Sequence, residues 1–265
     1  MKAIICAAGM GTRLGDYTKN LPKCMLKFKG KSLLERQIET LKSSGIKDIS
    51  IVRGYKPEKI NVSGVKYYNN PDFAETNMVV SLMAAEKELS GNQHFLVCYS
   101  DILYEKRLIE YLKQSYADVS VLVDDDWIPY WKSRLDNWKS DIESLTYNSS
   151  NKIIDIGNPE CGLDEAKSRY IGLLKFNENG ISAFKKLFYE NKEEYWYSTQ
   201  PWLRSKSFKQ AYMTCMLQEM INKGVDVRAV HTKRGWLEFD TIEDVKKANR
   251  WIKTGDIKHF INLDQ

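Results

Sequence analysis

MKAIICAAGMGTRLGDYTKNLPKCMLK, residues 1–27, is the stretch whose reading decides the fold. Lys2 to Cys6 is a short apolar run of strand character, and Ala7, Ala8, Gly9 and Gly11 follow it with little or no side chain. A backbone stripped of bulk lets a ligand approach closely and turns its N–H groups toward anionic oxygens. Arg13 stands two residues past the second glycine, and Lys23 follows Pro22 in a segment that must return to the same place for its charge to be useful. Two cations and a nest of amides suit a polyphosphate. Taken alone, a glycine-bearing loop after a strand is equally an ordinary strand-to-helix turn. It is not a Walker A loop, since no G-K-[ST] follows, and not the dinucleotide fingerprint, since Leu14 stands where the third glycine belongs.

Outward from this loop, strand patterns alternate with helical ones, as in an open sheet with helices on both faces. Ser32 to Ser43 is predicted as a helix, with Leu33, Leu34, Ile38 and Leu41 at helical spacing and Gly45 closing it. Strands are expected at 48–52, 65–68, 94–99 and 119–123, with helices at 77–89 and 105–114 between them. The segment DDDWIPYWKSRLDNWKSD, 124–141, is different in kind. Its Trp127, Trp131 and Trp138 share one helical face, which fits a core helix; mixed with acids, Lys132 and Arg134, they equally fit a pocket wall. A hairpin with its turn at Asn148 to Asn151 and a return strand ending at Phe176 follow, then helices at 181–189 and 211–223, a strand at 225–231 and a helix at 242–253. No linker interrupts the chain, so a single domain spanning 1–265 is expected, with an inserted lobe at about 124–170.

Composition excludes several classes. The 265 residues suffice for a sizeable core, and the net charge of +5 is spread along the chain rather than gathered in a tail, which gives no footprint for nucleic acid. Cys6, Cys24, Cys98, Cys161 and Cys215 are odd in number and form no C-x-x-C pair, as expected of reduced thiols in a cytoplasmic protein. No apolar run approaches the roughly 20 residues of a membrane span, and the N-terminus lacks the features of a signal peptide. His94, His231 and His259 have no partners at ligand spacing and are read as structural.

Two acids are candidates for a metal. Asp101 ends the apolar strand FLVCYSD and so lies at the carboxyl edge of the sheet, where open α/β folds bind ligands. Asp240 sits in GWLEFDTIEDV, ahead of a helix that either Asp240 or Thr241 could cap. Mg²⁺ is held by one or two carboxylates together with substrate phosphates, a need that two separated aspartates meet.

AAGMGTRL at 7–14 with LPKCML at 21–26 resembles the signature of the nucleotidyltransferases that activate sugar 1-phosphates and related phosphates. NPDFAETNMVVSL at 70–82, YSDI, IGLLKF and GWLEFDT resemble the branch of that family acting on phosphocholine, phosphonates and phosphoglutamine. The resemblance implies the α/β nucleotidyltransferase fold, a Rossmann-like, mixed and mainly parallel sheet. It implies an enzyme that transfers CMP from CTP to a small phosphate or phosphonate and releases pyrophosphate, for decoration of a cell-surface polysaccharide or lipid, as in capsule biosynthesis. It also implies Mg²⁺ on Asp101 and Asp240. Arg13 is then assigned to the departing β- and γ-phosphates and Lys23 to the α-phosphate. Ala7, Ala8, Gly9 and Gly11 cradle the triphosphate, while Tyr55, Asn77 and Ser81 lie near base and ribose.

Trp127, Arg134, Arg169, Tyr170 and Glu238 are assigned to the second substrate, with Trp131, Trp196, Trp202 and Tyr195 as further members of an aromatic cage for a quaternary ammonium. The partners expected are CTP and the small phosphate, with neither nucleic acid nor membrane, and a second copy of the chain in a homo-oligomer. Three alternatives stay open: a sugar-1-phosphate nucleotidyltransferase using UTP or dTTP, a nucleotide-binding regulator without catalysis, and a glycosyltransferase using Asp124 to Asp126 as a D-x-D metal motif.

Overall fold

The computed structural model describes residues 1–90 and 93–263. Seven strands form one sheet: β1 (Lys2–Ala7), β2 (Ile49–Arg53), β3 (Lys66–Asn69), β4 (Phe95–Tyr99), β5 (Val119–Asp124), β6 (Arg169–Phe176) and β7 (Val227–Thr232). Their order is β7-β5-β6-β4-β1-β2-β3, and all pairings are parallel except the two made by β6, which runs against both neighbours. The sheet is therefore mixed and mainly parallel. Strand order reverses beside β1, so the chain departs in opposite directions from the carboxyl ends of β1 and β4 and leaves a crevice there.

Residues of β1 alternate between the two faces. Ala3, Ile5 and Ala7 join one buried cluster, with the apolar stripes of α1 (Leu33–Ser43), α3 (Lys106–Gln114), α4 (Trp127–Arg134) and α7 (Ile242–Thr254). Ile4 and Cys6 join the other, with α2 (Met78–Met83), α5 (Glu178–Tyr195) and α6 (Met213–Asn222). A strand covered on both sides must be apolar at every position, which is why Lys2 to Ala7 shows no polar alternation. The first helix begins as expected: Ser32 accepts from the Glu35 N–H and Glu35 reaches back to the Ser32 N–H, a reciprocal cap.

Some boundaries differ from expectation for local reasons. The helix expected at 77–89 stops at Met83 and continues only as a turn at Glu86–Glu88, while α5 runs well past Tyr189 to Tyr195. The hairpin forms between Leu145–Tyr147 and Ile153–Ile156, and Asn148 Oδ1 accepts from the backbone N–H groups of Ser150 and Lys152 to close its turn. The expected face shared by Trp127, Trp131 and Trp138 is broken by the end of α4 at Arg134, yet Trp138, in the next turn, returns to Trp127 with ring centroids 6.1 Å apart.

Candidate active site

The loop after β1 is held open by its own backbone. Gly11 has φ +64°, and a Cβ there would stand 2.9 Å from the Lys23 Cβ. Its carbonyl accepts from Leu14 N at 2.9 Å and Thr18 Oγ1 at 2.8 Å, and the buried Leu14 anchors the turn in the core. Ala8 O accepts from Tyr55 N at 3.0 Å, a strand-like approach possible because Gly54 has no side chain: a Cβ there would meet Ala8 O and Phe73 Cβ at 2.6 Å. Gly9 faces open space, and Ala7 and Ala8 are buried beneath it.

Pro22 and a short turn over Lys23–Met25 bring the second cation back to this loop, with Cys24 and Leu26 buried as its anchors. Lys23 Nζ donates to Asp101 Oδ2 and to Asp240 Oδ1, each at 2.6 Å. Burial alone would push the Lys23 ammonium down, but Asp101 and Asp240 outweigh it and hold the group above its ordinary value. Arg13 NH1 pairs with the other oxygen of Asp240 at 2.6 Å, while its side chain stays 73% exposed and so faces solvent at the mouth of the loop.

Asp101 and Asp240 are distant in sequence and are joined by a small ladder that the sequence did not reveal. Ile102–Tyr104 pairs antiparallel with Trp236–Glu238, and the Phe239 N–H donates to Asp101 O at 2.8 Å. Thr241, rather than Asp240, caps α7, with Asp244 completing the reciprocal pair. The capping alternative for Asp240 is thereby answered: its carboxylate is left for Lys23 and Arg13. Glu238 stands beside them, and one oxygen from each of Asp101, Glu238 and Asp240 lies within 4.8 Å of the others. Burial, with Asp101 and Asp240 adding to it against the pull of Arg134, pushes the Glu238 carboxyl up to about 7.

The remaining assigned residues divide. Tyr55 is tied to the segment that follows the glycine loop, its hydroxyl donating to Lys19 O at 2.8 Å. Asn77 caps α2, and the buried Ser81 accepts from Asn70 Nδ2 at 3.1 Å. Arg169 and Tyr170 are partly exposed at the start of β6, with Tyr170 edge-on to Tyr99 at 5.6 Å.

Several assignments made for the second substrate and for a D-x-D metal motif are corrected. Trp127 is 1% exposed and its indole N–H donates to Ala166 O at 3.2 Å; it belongs to the core and offers no face to a substrate. Trp131 and Trp202 are buried in the same way. Arg134 is 3% exposed with every guanidinium nitrogen engaged by Asp244 or Glu238, so it cannot take a substrate carboxylate. His231, one of the three histidines read as structural, lies with its Nδ1 2.9 Å from Asp125 Oδ1. Asp124 is fully buried and accepts from Trp236 Nε1 at 2.8 Å and the Asp126 N–H at 2.9 Å, which removes it from any D-x-D metal pair. The four thiols of Cys6, Cys24, Cys98 and Cys215 are buried and free, and burial pushes the first three up to about 12. Among the described residues no helix is long and apolar enough to cross a membrane.

Residues 3–153 match the MobA-like NTP transferase domain, and over 93% of its length the chain is 32% identical to a CTP:phosphoglutamine cytidylyltransferase of Campylobacter jejuni, covering 98% of that protein. The chain belongs to this NTP transferase family. A choline-phosphate cytidylyltransferase of Streptococcus pneumoniae is 43% identical over 96 residues, 35% of this chain and 42% of the relative. The solved inositol-1-phosphate CTP transferase of T. maritima superposes with TM-score 0.72 at 18% identity, covering 98% of this transferase and 97% of that chain, which shows the shared fold. The family match ends at 153, so it spans the loop, Lys23 and Asp101, whereas the full-length relative also takes in Asp240.

Proposed function

We propose that the chain is a cytidylyltransferase that passes CMP from CTP to a small amino-bearing phosphate or phosphonate. A substrate phosphate oxygen bonds to the α-phosphorus of CTP in line, the bond from that phosphorus to the β-phosphate oxygen breaks, and pyrophosphate leaves with the electron pair. No covalent enzyme intermediate is needed, so the protein has mainly to position two anions and neutralise oxygens in the transition state. Lys23 serves the α-phosphate and Arg13 the departing phosphates. The observation that carries this reading is the Lys23 ammonium held 2.6 Å from both Asp101 and Asp240 at the lip of the glycine loop.

The three carboxylates fit Mg²⁺, being hard oxygen donors converging on one point beside a phosphate loop. Asp101 and Asp240, with Glu238 beside them, would hold the ion, which when bound supplies charge neutralisation at the phosphoryl oxygens. On the substrate side, Glu238, Arg169 and Tyr170 remain accessible after Trp127 and Arg134 are removed, a set carrying both signs of charge and an aromatic edge. That mixture suits a zwitterion of the phosphoglutamine type, the substrate named for the full-length Campylobacter relative. The CDP-linked product would serve decoration of a cell-surface polysaccharide or lipid. Pyrophosphate release decides the reading, measured with CTP, UTP and dTTP against phosphoglutamine, phosphocholine, 2-aminoethylphosphonate and glucose 1-phosphate. CTP with an amino-bearing phosphate is the expected pair, and preference for glucose 1-phosphate or for UTP overturns it.

A further inference from the structure

Arg134 projects from α4 into the loop that carries the acidic cluster. Its Nε donates to Asp244 Oδ1 at 2.7 Å and its NH2 to Asp244 Oδ2 at 3.0 Å, a two-point fork, while NH1 donates to Glu238 Oε2 at 2.8 Å. Asp244 Oδ2 in turn accepts from the backbone N–H of Asp240 at 2.8 Å and of Thr241 at 2.7 Å. One buried guanidinium thus reaches two of the three clustered carboxylates, Glu238 directly and Asp240 through its backbone. The guanidinium also packs 4.6 Å from the Trp131 ring centroid, and Lys247 Nζ ties the end of α4 to α7 by donating to Arg134 O at 2.9 Å.

A buried ion pair of this kind is a poor device for stability, because well-packed apolar groups of equal volume often serve as well or better. What a planar fork supplies is orientation, since its donors fix a carboxylate in both distance and plane. The capping of α7 needs only Thr241 and Asp244, so Arg134 adds something beyond the helix start. The element being oriented is the turn from Glu238 to Thr241, whose side chains define the cation site.

We propose that Arg134 is a positioning residue: its fork on Asp244 sets the backbone of Asp240, its third nitrogen turns Glu238, and together these aim both carboxylates at the cation site. The inference rests on the proposed transferase reading for what the site does, and on the hydrogen-bond relay for how it is held.

Binding of Mn²⁺ followed by electron paramagnetic resonance, beside steady-state kinetics, tests it in wild type and in Arg134→Lys, Arg134→Met and Asp244→Asn. The relay is broken from both ends, and folding of each variant is checked by circular dichroism and a cooperative urea transition. Folded variants are expected to bind Mn²⁺ roughly 10- to 100-fold more weakly and to lose kcat by a similar factor, as when an outer partner of a metal ligand is removed. KM for CTP should stay within about threefold, because uniform nucleotide binding is untouched. Lysine keeps the charge without the fork, so it should not rescue. Mn²⁺ affinity and kcat within about twofold of wild type in any folded variant overturn the role, being well short of the loss expected of such partners. Unfolding of all three variants, or a wild type that binds no Mn²⁺, overturns it too. A wild type that releases no pyrophosphate while the variants still lose Mn²⁺ sinks the transferase reading and leaves the positioning role standing.

Discussion

The glycine loop and the segment 124–170 are both rich in residues that invite a functional reading, yet only in the second does packing withdraw some of them, Trp127 and Arg134, from any substrate. Around Gly9 and Gly11 the signal is an absence of side chains, and absence has few competing explanations: Gly11 and Gly54 are required by contacts of 2.9 and 2.6 Å that a Cβ would make. In segment 124–170 the signal is an abundance of tryptophan, and large aromatics are claimed first by the core. Trp127, Tyr130 and Trp131 are all buried, packed edge to face against one another and against Trp236. Small residues beside charge announce a site, whereas aromatics beside charge announce one only after packing has taken its share.

The largest effect expected from this contrast lies in segment 124–170. Trp127→Ala should cost about 3–5 kcal/mol of stability, because it removes a fully buried indole from a packed cluster. Urea unfolding measures the loss, and the milder Trp127→Phe should leave KM for the second substrate near its wild-type value. A stable Trp127→Phe with a much raised KM would restore the pocket wall and break the comparison.

The mirror-image experiment belongs to the loop. Lys23→Ala should lower kcat on the order of 100- to 1,000-fold, about 2.7–4 kcal/mol of barrier, since it removes one preorganised charge from a developing phosphoryl transition state. Near-normal turnover in the folded variant would strip Lys23 of its role.

How much of this was legible in the sequence follows the same divide. The strands, the first helix and the loop could be read because each depends on local chemistry: apolar runs, Leu33, Leu34, Ile38 and Leu41 at helical spacing, small residues after a strand. Asp101 and Asp240 could be paired as metal candidates from their residue type and supported by family resemblance, but the ladder that joins them is three residues long on each side and too short to leave a periodic trace. Arg134 was misassigned for a related reason. Its partner Asp244 is 110 residues away, and nothing local to SRLDN distinguishes a forked buried arginine from an exposed one. The one available hint was Thr241 followed by Asp244, which marks a capping box and so releases Asp240.

An intermediate effect comes from the far edge of the nucleotide half. Burial pushes the Glu88 carboxylate up, but hydrogen bonds from Tyr68, Lys2 and Lys66 outweigh it and hold it down at about 2. A depressed folded value means that the stabilisation is complete above the unfolded value of a glutamate and is lost as pH falls toward 2. It is worth about 2 kcal/mol once solvent screening is allowed for. Glu88→Gln should therefore flatten the acid limb of stability against pH below about pH 5. An unchanged limb would show that the cluster ties β1 to β3 without contributing net free energy.

The smallest effect is the one that sharpens the substrate side. Arg169 has one nitrogen committed to Asp141 O at 2.8 Å, and its contact with the Asp141 carboxylate, at 3.5 Å, is loose enough to be exchanged for a ligand. The guanidinium lies over Trp131 at 4.1 Å, so its plane is preset by a core residue although its edge is not buried. A preset fork loses little freedom when it meets a carboxylate, which is what recognition of an amino-acid phosphate requires. Arg169→Ala should raise KM for a carboxylate-bearing substrate such as phosphoglutamine roughly tenfold, about 1.4 kcal/mol, leave KM for CTP unchanged, and leave KM for phosphocholine unchanged because that molecule has no carboxylate to lose. Equal losses with both phosphates would show that Arg169 holds the strand start rather than the substrate. No loss with either would hand specificity to Glu238, whose carboxylate attracts the ammonium end of the molecule.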